Sequence, residues 1–363
     1  MSQRGTLMKP IYSAGVVGAG MGGRLSMTGL RASARFELKA VADVRPDARE
    51  KARQDVPGIK TYASHAAMFA DCPTDVVCVS TYAPSHLPIV MDALKLRSLK
   101  GILVEKPLGE TAAAGRAIVA RIKARKLPMA VPHNLLAAPH ALDILAWVQA
   151  GRIGRFELME VQCDKWDAFN AGIHWMDFFV HATGNEPIDF VLAAMDATTR
   201  TYRDGMQVET EAVSYVVTRS GTRAVMQTGD YVKVVRAGRD LLFRLVGTKG
   251  SIEFPGWDNA CTIVDAEHPG GQTITAFRKV ACTGHQRHLE WMADQMDARQ
   301  PDYRIAESSL TALEICEAIY LSGKTRQKVV FPLETFKPLP VPRWNPGRPY
   351  SGRGGGRDGR KLA

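Results

Sequence analysis

The chain has 363 residues, of which 45% are hydrophobic and 23% charged, and carries a formal net charge of +10. That is the make-up of a globular protein with room for two domains, and no apolar stretch reaches membrane-spanning length. The basic excess is local: from Arg343 onward five Arg and one Lys face a single Asp, leaving a mildly basic body suited to anionic ligands rather than nucleic acid. Six cysteines, Cys72, Cys78, Cys163, Cys261, Cys282 and Cys316, are scattered without a C-x-x-C pair. This spacing predicts reduced thiols and neither a disulfide framework nor a zinc site. Met1 to Tyr12 lacks a secretory apolar region, so a cytoplasmic location is expected.

An apolar run from Ile11 enters Gly15-Val16-Val17-Gly18-Ala19-Gly20-Met21-Gly22-Gly23. Gly18, Gly20 and Gly23 fit G-x-G-x-x-G, a turn from strand to helix whose backbone can approach a pyrophosphate. A second apolar run, Phe36 to Ala42, ends in Asp43, where an acid is expected to accept ribose hydroxyls and repel a 2′-phosphate. These features predict a dinucleotide site that prefers NAD to NADP. Arg45, two residues on, is a cation that could meet a 2′-phosphate. Short apolar strands at Val76–Ser80, Gly101–Glu105 and Pro128–Val131 alternate with helices at Asp47–Arg53, Pro84–Lys95 and Thr111–Lys123. This alternation predicts a doubly wound parallel sheet with ligand at its carboxyl edge.

After Asn134 the rhythm changes. A helix over Pro139–Gln149 stops at Gly151. Strands follow at Phe156–Val161, Ala212–Val217, Ala224–Gln227 and Leu241–Val246, with Gly221, Gly229 and Gly238 as turns and helices at His285–Arg299 and Leu310–Leu321. This predicts a second, α+β domain with a large, open, mostly antiparallel sheet, whose outer face pairs with another copy in a dimer or tetramer. The expected division is 1–132, 133–337 and a Pro/Gly/Arg-rich arm at 338–363. The arm is either disordered or laid on a neighbour; its Arg353–Arg357 run is too short a basic signal to indicate RNA, and Lys361-Leu362-Ala363 could be a cloning remnant.

Two constellations could do chemistry. Glu105-Lys106-Pro107 ends a buried strand, where an ammonium is costly without a partner. Lys106 there is either a salt-bridged strand end or a fixed charge beside a reacting carbinol, oriented by Glu105. Asn170 and His174, four apart, share a face if their stretch is helical, with Asp177 a turn beyond. His174 is either a satisfied core histidine or the base that removes a hydroxyl proton.

The ordered set Gly18-x-Gly20-x-x-Gly23, Asp43, Thr81 to His86, Glu105-Lys106-Pro107, Gly151-x-x-Gly154, His174-x-x-Asp177 and Thr248-Lys249-Gly250 resembles the Gfo/Idh/MocA oxidoreductases. The resemblance implies a Rossmann domain followed by an α/β domain with an open antiparallel sheet, and NAD(P)-dependent oxidation or reduction of sugars and polyols. It implies that Lys106 is the catalytic lysine and His174 the acid/base histidine. The expected cofactor contacts are Gly18, Gly20, Met21, Gly22, Asp43, Arg45, Thr81, Tyr82, His86, Glu105 and Lys106. The expected substrate contacts are Lys106, His133, Asn170, His174 and Asp177, with no metal. Asn170 stands where many members have Asp; it can position a hydroxyl but not take its proton, and Asn-x-Gly-x-His resembles members that oxidise hexose carbon 3. Thr81-Tyr82 replaces the usual Thr-Pro, with proline displaced to Pro84. His133-Asn134 replaces a segment ahead of an arginine, leaving His133 a second base or a pocket wall. Trp166, Trp175, Tyr231 and Arg236 are further candidate walls. The expected activity is an NAD-dependent dehydrogenase of a sugar or glycoside hydroxyl. The alternatives are a redox-neutral glycosidase working through a 3-keto intermediate and a non-catalytic NAD- or sugar-binding regulator.

Overall fold

The computed structural model describes residues 9–196, 201–234 and 239–337, so Gly238, Arg236 and the 338–363 arm lie outside the described residues. The chain forms two compact units. The first opens with β1 (Tyr12–Val17), α1 (Met21–Ala32), β2 (Phe36–Ala42), α2 (Pro46–Asp55), β3 (Lys60–Tyr62), α3 (His65–Asp71), β4 (Val76–Val79), α4 (His86–Ala93), β5 (Gly101–Val104), α5 (Ala112–Ala124) and β6 (Met129–Ala130). All six strands are parallel, in the order β3-β2-β1-β4-β5-β6. Strands β4 and β5 are wholly buried because helices cover both faces, which is why they read as unbroken apolar runs. The strand order reverses between β1 and β4, and a doubly wound sheet binds ligand at that switch point.

The second unit is built on α6 (Pro139–Gln149), β7 (Phe156–Asp164), α7 (Ile173–Ala182), β8 (Ile188–Asp196), β9 (Thr201–Arg203), β10 (Met206–Val208), β11 (Glu211–Thr218), β12 (Arg223–Gly229), β13 (Leu241–Gly247), β14 (Gly250–Phe254), β15 (Cys261–Val264) and β16 (Gln272–Ile274). The chain then gives α8 (Gly284–Ala298) to the first unit before α9 (Arg304–Thr325) and β17 (Val329–Val330) complete the elements. The large sheet runs β16-β15-β14-β13-β7-β12-β11-β8-β17, with only β7 and β12 parallel among its neighbours. Strand β11 alternates buried and open positions, so one face carries the core and the other faces out. Phe178, Phe243 and Phe254 fill that core, the last two stacked at 4.5 Å.

The first unit is not contiguous in sequence. Residues 282–307 cluster with it, whereas 110–115 cluster with the second. The cause is apolar: Leu289, Met292, Ala293 and Met296 of α8 join Val16, Val41 and Leu103 in one core cluster. Glycine permits the approach, since a Cβ on Gly29 of α1 would lie 2.8 Å from the backbone nitrogen of Gln286. No helix among the described residues is long and apolar enough to cross a membrane.

Candidate active site

In the first unit the site begins at the turn between β1 and α1. Gly18 has φ +95°, and a Cβ there would sit 2.4 Å from the carbonyl oxygen of Ser80. A Cβ on Gly20, by contrast, would meet no protein atom within 4 Å. The protein does not itself require glycine at position 20; a ligand pressed against that backbone would. Asp43 sits at the end of β2 with its carboxylate tied to this turn. Oδ2 accepts from the Ala19 amide at 2.7 Å and Oδ1 from the Arg45 amide at 2.8 Å. Arg45 Nε lies 3.5 Å from Oδ1. A carboxylate has about four lone-pair directions, so it retains capacity for ribose hydroxyls. A cavity of about 380 Å³ beside the turn is lined by Gly20, Met21 and three cations, Arg24, Arg45 and Lys51. The open backbone, the helix N-terminus and the fixed acid together fit a dinucleotide.

On the other side of the switch point, Thr81 and Tyr82 lead into a short 3₁₀ turn at Ala83–Ser85. Ser85 donates to Thr81 Oγ1 at 2.8 Å, and Tyr82 is half-exposed. His86 is wholly buried, with Nε2 at 2.9 Å from the Thr81 carbonyl and Nδ1 at 3.3 Å from that of Leu108. It braces the two loops through both ring nitrogens, and burial lowers its pKa.

Glu105 follows β5 and is buried. Oε1 lies 2.6 Å from His285 Nε2, and Oε2 accepts from the Lys106 amide at 3.2 Å. Burial alone would raise this carboxyl's pKa, yet the His285 hydrogen bond and the nearby charges of His285 and Lys106 hold it below the usual range. A Cβ on Gly22 would come within 2.9 Å of Glu105 Oε1, so the third position of the glycine turn is shaped by this acid. Sequence reasoning missed His285. It lies 180 residues from Glu105 and reads only as the start of a helix.

In the second unit Asn170 and His174 are not on one regular helix. Ala168–Gly172 form a π turn, in which the Gly172 amide reaches back to the Asp167 carbonyl at 3.0 Å, and α7 starts after it. Such turns recur at functional sites. Asp167 caps the turn, accepting from the Asn170 amide at 2.8 Å. His174 is 8% exposed, with the His133 ring edge-on at 5.2 Å and Trp257 at 5.9 Å. His133 is fully buried, with Nε2 2.8 Å from Ser309 Oγ and Nδ1 3.4 Å from Asp177 Oδ2. Burial pushes the Asp177 carboxyl up to about 8. Asp177 and His133 therefore form a layer behind His174.

Of the candidate walls, Trp175 is a core residue, 2% exposed and packed on Phe243 at 5.2 Å. Trp166 lies under the guanidinium of Arg203 at 5.1 Å, and Tyr231 is exposed. Trp257 is half-exposed and touches both His174 and Trp175, the position expected of a wall; a lone tryptophan in a loop gave no signal in the sequence. Among the described residues no group of three or more His, Cys, Asp or Glu could hold a metal.

Residues 12–133 match the model of the oxidoreductase family with an NAD-binding Rossmann fold. Those residues are thus similar to the NAD-binding domain of the Gfo/Idh/MocA oxidoreductases. It is 29% identical over 202 residues to the rhizopine catabolism protein MocA of Rhizobium meliloti, covering 52% of this chain and 62% of that one. It is 34% identical over 124 residues to the NADP⁺-dependent D-xylose 1-dehydrogenase of Hypocrea jecorina, covering 33% of this chain and 31% of that one. The matches thus span less than two thirds of these relatives. The fold is similar to that of levoglucosan dehydrogenase in complex with NADH and levoglucosan, at a TM-score of 0.73 and 17% identity, over 88% of this chain and 99% of that one.

Proposed function

We propose that the chain is an NAD-dependent dehydrogenase acting on a secondary hydroxyl of a sugar, a sugar derivative or a glycoside, with carbon 3 as the position oxidised. The observation that carries this is the end of β5: an ionised Glu105, held by His285, adjoins both the glycine turn and Lys106. A bound dinucleotide would lie on Gly18, Gly20, Met21 and Gly22, with its ribose hydroxyls on Asp43, and would supply the hydride acceptor. Thr81, Tyr82, Glu105 and Lys106 are proposed to border its nicotinamide end. The Asp43 carboxylate disfavours a 2′-phosphate, which makes NAD the proposed cofactor over NADP. The NADP⁺-dependent xylose enzyme marks Arg45 as the residue to test.

Lys106 donates to the substrate oxygen and stabilises its developing negative charge. His174 takes the hydroxyl proton, Asn170 positions the sugar, and Asp177 and His133 act on it through His174. We further propose that the outer face of the large sheet, which carries Leu192, Val213 and Val330 exposed, pairs with a second copy in a dimer or tetramer, and that the protein works in the cytoplasm.

The test is NADH formation by purified protein given NAD⁺ and D-xylose, levoglucosan, methyl β-D-glucoside or myo-inositol. NADH with stoichiometric keto product supports a dehydrogenase. Aglycone release without net NADH would favour the redox-neutral glycosidase, for which a second imidazole at His133 is the relevant observation. Tight NADH binding without turnover of any polyol would favour a regulator.

A further inference from the structure

We propose that Trp257 is a substrate-binding residue, an aromatic platform that takes the C–H face of a pyranose ring beside His174, and that His140 is the positioning residue that holds it there. The proposal rests on the reading above, in which His174 meets a sugar hydroxyl, and it narrows the substrate to a pyranose or pyranoside. A lone exposed apolar side chain needs no purpose. Trp257 is set apart by its neighbours and by its anchoring. It is 48% exposed, yet its ring meets His174 at 5.9 Å and 80° and the buried Trp175 at 5.5 Å and 60°. Open apolar surface therefore begins where the imidazole ends.

The segment that carries it, 255–260, joins β14 to β15 and is pinned on both sides of the tryptophan. Before it, Gly256 has φ +62°, and a Cβ there would run into Leu241. The Gly256 carbonyl accepts from His140 Nε2 at 2.7 Å. After it, Asp258 pairs with Arg239 at 2.6 Å, and Asn259 Oδ1 lies 3.1 Å from His140 Nδ1. His140 is 1% exposed on α6, with Phe254 at 6.2 Å and Phe277 at 6.0 Å packed against its ring. A core side chain thus grips the loop one residue before Trp257 and two residues after it. Because the loop is already ordered, covering the indole costs little further conformational entropy.

The chemistry of the platform selects the ligand. An indole face carries the negative side of the ring quadrupole and attracts weakly positive C–H groups while excluding water. In a gluco-configured pyranose the hydroxyls are equatorial, so the axial C–H groups form an apolar patch on each face while the rim stays polar. Such a ring lies on Trp257 with a rim hydroxyl toward His174. An acyclic polyol has no fixed apolar face and would have to give up torsional freedom to make one. The platform contributes to binding and not to proton transfer, which stays with His174.

The test has two arms, which separate failure of the platform from failure of the dehydrogenase reading. The first needs no turnover: ¹⁹F spectra of protein labelled with 5-fluorotryptophan and saturated with NADH, Trp257 being assigned by its loss in Trp257→Phe. Methyl β-D-glucoside should shift the Trp257 resonance saturably, and D-glucitol at the same concentration should not. His140→Ala should move or broaden that resonance before any sugar is added, and His140→Gln, which keeps a donor toward the Gly256 carbonyl, should restore it. The second arm is steady-state oxidation with NAD⁺. Trp257→Ala should raise KM for methyl β-D-glucoside about tenfold with kcat within about threefold, and Trp257→Phe should recover most of the loss. His140→Ala should raise KM to a similar degree, and the double variant should be no worse than either, because the two act through one surface. Should His140→Ala not fold, Arg239→Ala, which releases the Asp258 side of the loop, takes its place with the same expectations. A shifted resonance without NADH formation keeps the platform and removes the dehydrogenase. NADH formation with the resonance unmoved, or with KM unchanged in Trp257→Ala, overturns the platform. An equal shift by D-glucitol overturns the selection of a pyranose, and a Trp257 resonance indifferent to His140→Ala overturns the role of His140. Neither a shift nor NADH from methyl β-D-glucoside or D-xylose overturns both readings.

Discussion

Glu105 in the first unit and Asp177 in the second are both carboxyls removed from solvent, yet they are held in opposite directions. Glu105 has His285 at 2.6 Å and the charge of Lys106 nearby, and its pKa falls despite burial. Asp177 has the looser 3.4 Å approach of His133 and a hydrogen bond with Ser308, and burial outweighs the latter and pushes its carboxyl up to about 8. Burial sets the cost of the charge; the cation set against it decides whether the charge persists. The first unit thus keeps a permanent negative charge beside its lysine, whereas the second keeps a titratable group behind its histidine. This suits the proposed division of labour, with fixed electrostatics at the cofactor and proton handling at the substrate.

The contrast breaks most sharply at Lys106. Lys106→Ala should lower turnover about a thousandfold while NADH still binds, because the glycine turn and Asp43 are untouched. Steady-state rates beside NADH fluorescence titration check this.

Removing the hydrogen-bond partner from the Glu105 side tests the next level. His285→Ala leaves a buried carboxylate without its main partner and should cost about 3 kcal/mol of stability in urea unfolding. NADH affinity should weaken as well, since Glu105 abuts Gly22. His285→Gln, which keeps a donor toward Oε1, should recover part of both losses. Equal behaviour of the two variants would show that His285 acts through packing alone.

The Asp177 side gives the smallest effect, and its sign is set. The folded pKa of about 8 exceeds the unfolded value near 3.9, so between them the native state binds the extra proton. Stability from this group is complete in acid and is lost as pH rises through 8. Melting curves from pH 5 to 9 should show wild type losing a few degrees more than Asp177→Asn.

How much of this could be read from residue order differs between the units for the same physical reason. The parallel sheet was legible because both faces of β4 and β5 are covered, and uninterrupted apolar runs followed by Gly, Thr or Glu-Lys punctuate it. The glycine turn and Asp43 lie within one β-α-β unit, where spacing in sequence is spacing in space. Partners recruited over long distances were not legible: His285 for Glu105, Arg203 for Asp167 and Tyr320 for Glu209 each come from elements more than 35 residues away. The π turn at Ala168–Gly172 was hidden too, since Asn170 and His174 fit a regular helical spacing; Asp167 is what diverts the backbone. Strand β3 and helix α3 were missed because both are short, at 3 and 7 residues.

The most direct test is a paired measurement on His174→Ala: NADH dissociation constant and turnover of the best sugar, on one preparation. The account predicts NADH affinity within about twofold of wild type and turnover reduced at least a hundredfold. Turnover matching wild type would contradict it, because proton removal would then have to come from elsewhere.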